Sequence, residues 1–518
     1  MTAGPAQVII GLDAGTTGVK AAAFGLGSSW QRVAIREYRL LEPTPGQAVQ
    51  DPAAIVRATH DALAECVAAV GSAKVLGVSV SAGMHGLMAL DGERRPLTPL
   101  VTWADARARD EARSLHRSGQ ASALHALSGT PVHPMTPLTK LMWFARHEPR
   151  TWQAARWWVG LKEYLLLGLT GDVVTELSSA SGTGLLDMST RDWSATAIEV
   201  CGVSIDKLPP ILPTTSTLPL APAAAAAVGL PPGTPVVVGA GDGPLGNLGT
   251  GAMEPGIACL SLGTSGAVRT VVAHPHVDDD RTLFCYALTD TTWVVGGAIS
   301  NGGVVLRWTG ESLTPDVWAA AGDAGPDHAV LELAAGVPAG SEGLVMLPYL
   351  LSERAPLWDP DLPGAFLGLR REHTRAHMAR AAIEGVCLQM RIILDRLDQV
   401  QPVSTVRATG GVFRAALWSE VMAAMLTRPV RVVGGAEGTA RGAAALALFA
   451  LGHAPTLTRA ATQLTDANAP PLPAVDADPR LVATYDRLRS SVPALIRALS
   501  SVADLLTDTS NSRTAGQG

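Results

Sequence analysis

The chain has 518 residues, 47% of them hydrophobic and 17% charged, which is enough for two large domains or about three ordinary ones. Its net charge of −6 and its lack of a basic run exclude a nucleic-acid surface built from clustered lysines and arginines. The five cysteines are odd in number, widely spaced and without a Cys-x-x-Cys pair, so they suggest neither a disulfide framework nor a zinc site. Neither an apolar run of about 18 residues nor an N-terminal signal pattern occurs, so we expect a soluble, cytoplasmic protein without membrane contact.

The first predicted elements are two apolar strands joined by Asp-Ala-Gly-Thr-Thr-Gly at residues 13–18. Glycines let a backbone approach a phosphate closely, and Thr16 and Thr17 can donate hydrogen bonds to it. Lys20 can reach the same anion, and Asp13 can hold a hydrated Mg²⁺. The pattern is neither a P-loop nor a dinucleotide fingerprint, and an ordinary hairpin with turn glycines explains this segment equally well.

Polar residues follow the next predicted strand, 75–80. Met84-His85-Gly86 comes soon after it, and Trp103-Ala104-Asp105-Ala106-Arg107 follows a further apolar stretch. Asp105 and Arg107 could bind a polyol between them, with Trp103 as an apolar wall, or form a surface ion pair beside a core tryptophan. Lys162-Glu163-Tyr164 is equally ambiguous, because adjacent opposite charges are common on a solvated helix face.

A carboxylate follows the strand predicted at 236–238, in the segment Val-Val-Val-Gly-Ala-Gly-Asp-Gly that ends at Gly243. Ligands of α/β folds lie at such strand ends. Asp242 could therefore act as a general base, which needs a carboxylate within hydrogen-bond reach of an attacking hydroxyl. The alternative is an aspartate that caps the following helix.

The hairpin pattern recurs at residues 257–272, where Gly263-Thr264-Ser265-Gly266 joins two apolar runs. Two such hairpins about 250 residues apart indicate an internal duplication of domain size. A pair of them is better explained as two clamps on one nucleoside triphosphate than as two ordinary hairpins.

Near the C-terminus, Gly410 and Gly411 follow the strand predicted at 403–408 and precede a helix near Ala415. Glycines at a strand-to-helix turn could accommodate an adenine or ribose, although helix packing explains them as well. Together with helical patterns at 51–70 and 138–148, these elements predict two α/β domains with a cleft between them. We expect the domains at 6–250 and 251–502, a connecting segment at 213–235 and a polar tail at 503–518.

Two long motifs make the chain resemble the FGGY family of carbohydrate kinases from about residue 8 to about residue 450. One is Met-Thr-Pro-Leu-Thr-Lys-Leu-Met-Trp-Phe at 135–144. The other begins with Gly-Ala-Phe-Leu-Gly-Leu at 364–369 and continues through His377-Met378 to Ala-Ala-Ile-Glu at 381–384. The resemblance implies two actin-like (ribonuclease H-like) domains that close on ATP and a sugar.

The resemblance also implies roles for individual residues. Asp242 would be the catalytic base and, with Asp13, would hold Mg²⁺. The residues expected to bind ATP are Asp13, Thr16, Thr17, Lys20, Gly263, Thr264, Ser265, Gly303, Gly410 and Gly411. The residues expected to bind the sugar are Met84, His85, Trp103, Asp105 and Arg107. Two positions near the nucleotide depart from the family pattern, Ala415 where Ser or Asn is common and Arg441 where the residue is often small or apolar.

Within the family, the segments 102–107, 129–137, 284–289 and 301–308 resemble those of gluconokinases. The substrate implied is gluconate, phosphorylated on its 6-hydroxyl, with Arg107, Lys162 or Arg354 as the cation for its carboxylate. A xylulokinase-like enzyme acting on a pentulose or polyol is the alternative, since Met84-His85-Gly86 is shared with xylulokinases. A non-catalytic nucleotide or sugar sensor is the alternative from another class. The sequence is compatible with a homodimer, and no pattern in it fixes the oligomeric state.

Overall fold

The computed structural model describes residues 5–322, 325–434, 437–465 and 473–514. It divides into two compact units. The first unit contains Met1–Pro255, Thr270–Val295 and Glu437–Pro471, and the second contains Gly256–Arg269, Gly296–Ala436 and Leu472–Gly518. The prediction of two α/β domains is confirmed. Their predicted boundaries stay predictions, since neither unit is a single continuous segment.

The strands are short to medium in length and occur in both units. They are β1 Gln7–Ala14, β2 Gly18–Gly25, β3 Gln31–Glu37, β4 Val49–Gln50, β5 Lys74–Ala82, β6 Met88–Leu90, β7 Leu100–Val101, β8 Trp157–Val159, β9 Thr175–Glu176, β10 Leu186–Asp187, β11 Asp192–Trp193, β12 Ile211–Leu212, β13 Thr217–Pro219, β14 Pro235–Gly241, β15 Ile257–Leu262, β16 Gly266–Val272, β17 Phe284–Ala287, β18 Trp293–Ile299, β19 Val345–Leu347, β20 Ala365–Leu367, β21 Thr405–Thr409, β22 Val430–Val432 and β23 Ala474–Val475.

The α-helices alternate with these strands along the chain. They are α1 Pro52–Val70, α2 Arg109–Arg117, α3 Gln120–Ser128, α4 Pro137–His147, α5 Pro149–Ala154, α6 Leu161–Thr170, α7 Leu177–Ser181, α8 Ala195–Cys201, α9 Pro222–Val228, α10 Asp242–Thr250, α11 Gly303–Trp308, α12 Pro315–Ala319, α13 Pro326–Ala335, α14 Arg375–Val400, α15 Ala416–Leu426, α16 Gly438–Ala450, α17 Leu457–Gln463 and α18 Pro479–Thr514.

The first unit is built on a six-stranded mixed sheet with the order β13-β14-β5-β1-β2-β3. The strands β14, β5 and β1 run parallel, while β2, β3 and β13 are antiparallel to their neighbours. Ile9 and Ile10 of β1 are both fully buried but belong to different cores, because successive side chains of a strand point to opposite faces. Ile55 of α1 lies in the core with Ile10, and Ala440 of α16 lies in the core with Ile9. Helices on both faces explain why β1 is almost continuously apolar.

In the second unit the strands follow the order β16-β15-β21-β22-β23. The pair β15–β16 is antiparallel, and β15 runs parallel to β21, as β1 runs parallel to β5 in the first unit. The long helix α14 contributes sixteen buried residues to this unit. Both predicted hairpins are thereby confirmed, and each has its turn beside the carboxyl end of a parallel neighbour.

Several local expectations can be compared with these elements. The helices predicted at 51–70 and 138–148 are confirmed as α1 and α4. The segment 213–235, expected to be a connection, also contains β13 and α9, because its alanine run is followed by an αL glycine cap at Gly229. The polar tail at 503–518 stays a prediction: the backbone of 503–514 continues α18, and 515–518 lie outside the described residues. Among the described residues no helix combines the length and apolarity needed to cross a membrane.

Candidate active site

The central feature of the first unit is a pair of carboxylates at one edge of its sheet. Asp13 lies opposite Ser81 of β5, and Asp242 comes directly after the last residue of β14. Since β1, β5 and β14 are parallel, their carboxyl ends lie at the same edge of the sheet. This is the edge at which α/β folds bind their ligands. Asp242 is the first residue of α10, and Gly241 is its N-cap, so the expectation of Asp242 as the N-cap is wrong by one position. The Asp242 carboxylate instead accepts a hydrogen bond from the amide of Gly243 at 2.7 Å.

The two carboxylates influence each other. Burial, followed by the charge of Asp242, raises the pKa of Asp13 to about 6. A hydrogen bond of 2.9 Å from Ser81 Oγ and the charges of Lys20 and Lys162 act in the opposite direction. A raised carboxyl pKa that results from burial and a like charge at a strand end is typical of a functional site.

The turn between β1 and β2 is held by side chains from three directions. The hydroxyl of Tyr38 donates to the carbonyl of Gly15 at 2.7 Å, and Gln50 Nε2 donates to the carbonyl of Thr16 at 2.6 Å. Trp103 Nε1 donates to Thr16 Oγ1 at 2.9 Å. The predicted phosphate residues therefore form one rigid turn, and Lys20 pairs with Asp13 across the hairpin.

Met84 and His85 lie directly beyond β5, next to the carboxylate pair. A side chain added at Gly241 would meet the sulfur of Met84, so this methionine packs against the residue before Asp242. His85 Nδ1 lies 2.7 Å from the carbonyl of Gly182, and its ring makes an edge contact with Tyr286 at 5.6 Å. The structure thus brings Met84 and His85 to the same edge of the sheet as Asp242.

Asp105 and Arg107 bind each other rather than standing apart. Arg107 donates from Nε and Nη2 to the two oxygens of Asp105, both at 2.8 Å. The Asp105 side chain is fully buried and also accepts a hydrogen bond from the amide of Ala48 at 2.7 Å. It is therefore not exposed in the way that the prediction of direct polyol binding by Asp105 requires. Arg107 is 11% exposed and lies over the ring of Trp143 at 5.0 Å. A guanidinium carries five N–H donors, and this pair uses two of them.

Two lysines of the first unit are completely buried. Lys140, in the first family-like motif, donates to the carbonyls of His85 at 2.6 Å and Thr102 at 2.7 Å, and burial lowers its pKa to about 7. Lys162 donates to three strand carbonyls and is only 2% exposed. The expectation that Lys162 binds a substrate carboxylate is therefore not supported. Arg354, in the second unit, is also buried and donates to the carbonyl of Ile299 at 2.6 Å.

In the second unit the predicted nucleotide residues converge on the turn of the β15–β16 hairpin. The amide of Gly303 donates to the carbonyl of Gly263 at 2.7 Å, and the amide of Gly302 donates to that of Thr264 at 3.1 Å. Gly410 has φ of 127°, and a Cβ there would lie 2.0 Å from the carbonyl oxygen of Leu262. Only glycine permits this approach. The three predicted segments around Gly263, Gly303 and Gly410 thus form one surface made largely of backbone.

The two positions that depart from the family pattern behave differently. Ala415 is the N-cap residue of α15, and its side chain cannot accept a hydrogen bond from the first turn. Arg441 belongs to the first unit, where its guanidinium lies 5.5 Å from the ring of Phe24 and its Nη2 lies 3.4 Å from Gln31 Oε1. Arg441 is thus a packing residue of the first sheet.

The residues at the carboxylate pair fit a magnesium ion. Mg²⁺ prefers oxygen ligands, keeps several waters and is usually held by one or two carboxylates together with substrate phosphates. Asp13 and Asp242 supply two carboxylates close enough for one to raise the pKa of the other. Within the described ranges there is no group of three or more His, Cys, Asp or Glu side chains that could hold a metal.

Several residues near the site were not identified by the sequence analysis. Ser81 donates to Asp13, Gln50 donates to the first turn, and Tyr286 contacts His85 across 201 positions of sequence. Lys140 lies in the motif at 135–144, and its role was not predicted. The one sequence signal for these residues was the apolar context of the lysine, which is unusual because a buried ammonium requires several acceptors.

The comparisons with known proteins agree with this geometry. The family model for the N-terminal domain of the FGGY family of carbohydrate kinases matches residues 8–249, and the model for the C-terminal domain of the same family matches residues 258–451. The chain therefore belongs to the FGGY family, its two units are the actin-like domains that the sequence predicted, and it is a carbohydrate kinase. Membership of this family supports a sugar kinase activity and not the non-catalytic sensor that the sequence left as an alternative.

Individual relatives are consistent with this assignment. Gluconokinase of Bacillus subtilis (strain 168) is 36% identical over 449 residues, which cover 86% of this chain and 88% of that protein. Xylulose kinase of Escherichia coli (strain K12) is 31% identical over 468 residues, covering 88% and 92%. The crystal structure of gluconate kinase from Lactobacillus acidophilus has a TM-score of 0.89 at 30% identity and covers 96% of this chain and 99% of that chain.

Proposed function

We propose that this kinase phosphorylates D-gluconate on its 6-hydroxyl, with ATP as the phosphoryl donor and Asp242 as the general base. The observation that carries the base assignment is the position of Asp242, immediately after β14 and beside the buried carboxylate of Asp13. The substrate assignment rests on the 36% identity to a gluconokinase, compared with 31% to a xylulose kinase over a similar share of the chain.

In the proposed reaction the Asp242 carboxylate accepts the proton of the sugar hydroxyl as its oxygen attacks the γ-phosphorus. A new O–P bond forms, the bond between the γ-phosphorus and the bridging oxygen breaks, and ADP leaves with that oxygen and its charge. A magnesium ion held through water by Asp13 and Asp242 would neutralise phosphate charge. The amides of the turn at 15–18 and the Lys20 ammonium stabilise the charge that develops on the transferring group.

The sugar would lie against Met84, His85 and Trp103. An acidic sugar needs a positive local field, and the charges near this surface are Asp105, Arg107 and Lys140. Their sum is positive whenever Lys140 is protonated. We assign the gluconate carboxylate to Arg107, because Asp105 fixes its guanidinium with two hydrogen bonds and leaves further N–H donors for a ligand.

We assign the nucleotide to the second unit, where it would bind the glycine-rich surface around Gly263, Gly303 and Gly410. A surface of backbone groups can approach a phosphate or a ribose without a side chain between them. The requirement for ATP places the proposed reaction in the cytoplasm. The second candidate substrate is a pentulose, favoured by the xylulose kinase similarity and by the shared Met84-His85 segment.

One experiment tests both the choice of substrate and the assignment of its carboxylate to Arg107. ADP release from purified protein is measured with ATP and Mg²⁺ on a panel containing gluconate, xylulose and an uncharged hexitol. We expect gluconate to give the highest kcat/KM, and we expect Arg107→Met to reduce that preference relative to the hexitol. A higher kcat/KM on xylulose would replace gluconate by the pentulose.

The Asp242→Asn variant is assayed on the best substrate of the panel. Its kcat should fall by at least about 10²-fold, because general acid–base help is typically worth ~10²–10⁴. The matched control is Asp187→Asn, a carboxylate that accepts hydrogen bonds in an exposed turn of the same unit. Turnover near the wild-type level in a folded Asp242→Asn protein would contradict the base assignment.

A further inference from the structure

The strand that ends at Asp242 is not in uniform register with its neighbour. Val237 and Ala240, three residues apart in β14, pair with β5 residues that are only two apart. Gly239 absorbs the extra residue with φ of 80°, and a Cβ there would lie 1.9 Å from the carbonyl oxygen of Val80. Such a bulge shifts the facing of every later residue by one, so it determines on which side Asp242 emerges.

An ammonium group lies at this bulge. A bulge interrupts the ladder of hydrogen bonds between two strands, and a buried carbonyl without a donor costs about 1–3 kcal/mol. Lys162 Nζ, from α6, donates to the carbonyls of Val238 and Ala240 at 2.9 Å each and also to the carbonyl of Val80. Its three N–H donors therefore match three strand carbonyls, two from β14 and one from β5.

A buried carboxylate completes the cluster and links it to the residue before Asp242. Glu176 Oε1 lies 3.7 Å from Lys162 Nζ, and both side chains are at most 2% exposed. Glu176 also accepts the amide of Ser178 at 2.5 Å at the start of α7. The hydroxyl of Ser178 in turn accepts the amide of Gly241 at 3.0 Å. Lys162, Glu176 and Ser178 thus form a connected group of side chains that bonds to the last residues of β14.

We propose that Lys162 is a positioning residue for phosphoryl transfer, which holds the β14 bulge so that Asp242 faces the sugar hydroxyl beside Asp13. The inference rests on the proposed role of Asp242 as the base. A misplacement of about 1 Å in a reacting group can cost roughly 10²-fold in rate, so loss of this support should reduce turnover.

The charge of Lys162 also acts on the site. The titratable groups that face it are Glu176, Glu163, Asp242 and Asp13. Burial lowers the pKa of Lys162, whereas those four carboxylates favour its charged form. Its positive charge opposes the upward shift of the Asp13 pKa. Removal of the ammonium would therefore take away a positive charge as well as three hydrogen bonds to strand carbonyls.

Lys140 offers a matched control in the same unit. It is also completely buried, and its ammonium also bonds backbone carbonyls, those of His85 and Thr102. These carbonyls belong to the segments that we assign to the sugar, and not to β14. Replacement of either lysine by methionine removes a buried charge of the same size, so the two variants share the general cost to folding.

The experiment compares Lys162→Met with Lys140→Met by kcat and sugar KM, with wild-type and Asp242→Asn protein alongside. For Lys162→Met we expect kcat to fall about 10- to 100-fold and the sugar KM to stay within about threefold. For Lys140→Met we expect the sugar KM to rise by a larger factor than kcat falls. An unchanged kcat in folded Lys162→Met, or equal changes of kcat and sugar KM in the two variants, would show that Lys162 only fills the bulge and would overturn the proposal.

A second variant covers the case in which Lys162→Met does not fold. Ser178→Ala removes only the hydrogen bond to the Gly241 amide, and we expect kcat to fall about threefold to tenfold without a change in sugar KM. An unchanged kcat in Ser178→Ala would count against support of Asp242 from this cluster. The two proposals fail separately: turnover that survives in Asp242→Asn removes the base, whereas a wild-type kcat in Lys162→Met, with Asp242→Asn inactive, removes only the positioning role.

Discussion

The two glycine-rich hairpins have the same connectivity and different chemistry. In both, the first strand pairs antiparallel with the second and parallel with a later strand, β5 or β21. The first turn follows a buried carboxylate, Asp13, and is held by the side chains of Tyr38, Gln50 and Trp103. The second turn follows an apolar residue, Leu262, and is held by backbone amides of the segment that begins α11.

This difference supports the proposal that the two hairpins have different roles. A carboxylate repels phosphate unless a cation lies between them, so only the hairpin that contains Asp13 is suited to a metal-bridged phosphoryl group. A neutral turn made of backbone can hold a nucleotide without a cation. The predictions below test the division by altering one hairpin at a time.

Among variants of the two hairpins the largest effect is expected from Asp13→Asn, with opposite signs for activity and stability. Loss of the carboxylate should lower kcat about 10- to 100-fold, because a group that supports the metal is removed. Burial and the charge of Asp242 raise the folded-state pKa of Asp13 from 3.8 to about 6, so its ionisation opposes folding increasingly from about pH 4 and fully above about pH 6. Asn should therefore stabilise the protein by about 1–3 kcal/mol at pH 7, and the gain should vanish below about pH 4, where Asp13 is protonated in both states.

Urea unfolding without nucleotide or magnesium, at pH 4 and pH 7, measures the stability part. Asp187→Asn is the control of opposite sign: hydrogen bonds from Ser189 lower the pKa of Asp187, so its replacement should not stabilise the protein at pH 7. A gain in Asp13→Asn that is equally large at pH 4 would rule out ionisation as its cause.

The contrast between the hairpins also shows what the sequence could predict. Each hairpin, the strand before Asp242 and the helices α1 and α4 follow from local apolar patterns and glycines. The contacts that distinguish the hairpins could not be predicted, because Trp103 reaches Thr16 across 87 residues and Tyr286 reaches His85 across 201. The ion pair between Asp105 and Arg107, one of the two sequence alternatives, is present, but it is buried and not on the surface, and no local pattern reveals the burial of Asp105.

A smaller effect is expected from Gly410→Ala, which alters the second hairpin alone. The new Cβ would contact the carbonyl of Leu262 at 2.0 Å at a φ of 127°, and such strain costs about 1–3 kcal/mol. We expect the KM for ATP to rise about tenfold, with the sugar KM unchanged. Gly434→Ala is the control, because a Cβ there has open space. An equal rise of the sugar KM in Gly410→Ala would contradict the assignment of this surface to the nucleotide alone.

The smallest effects are expected from Thr16→Val and Thr264→Val, the matched threonines of the two turns. Thr16 Oγ1 accepts the Trp103 indole N–H at 2.9 Å, so its loss leaves that donor without its partner and should cost about 0.5–1.5 kcal/mol.

Because Trp103 lies at the proposed sugar surface, Thr16→Val should raise the KM for both the sugar and ATP about threefold to tenfold, whereas Thr264→Val should raise only the KM for ATP. Trp103→Phe removes the same hydrogen bond from the other side, and its effect on the sugar KM should not add to that of Thr16→Val. Additive effects would mean that the two side chains act independently, and that the first hairpin is not coupled to the sugar through Trp103.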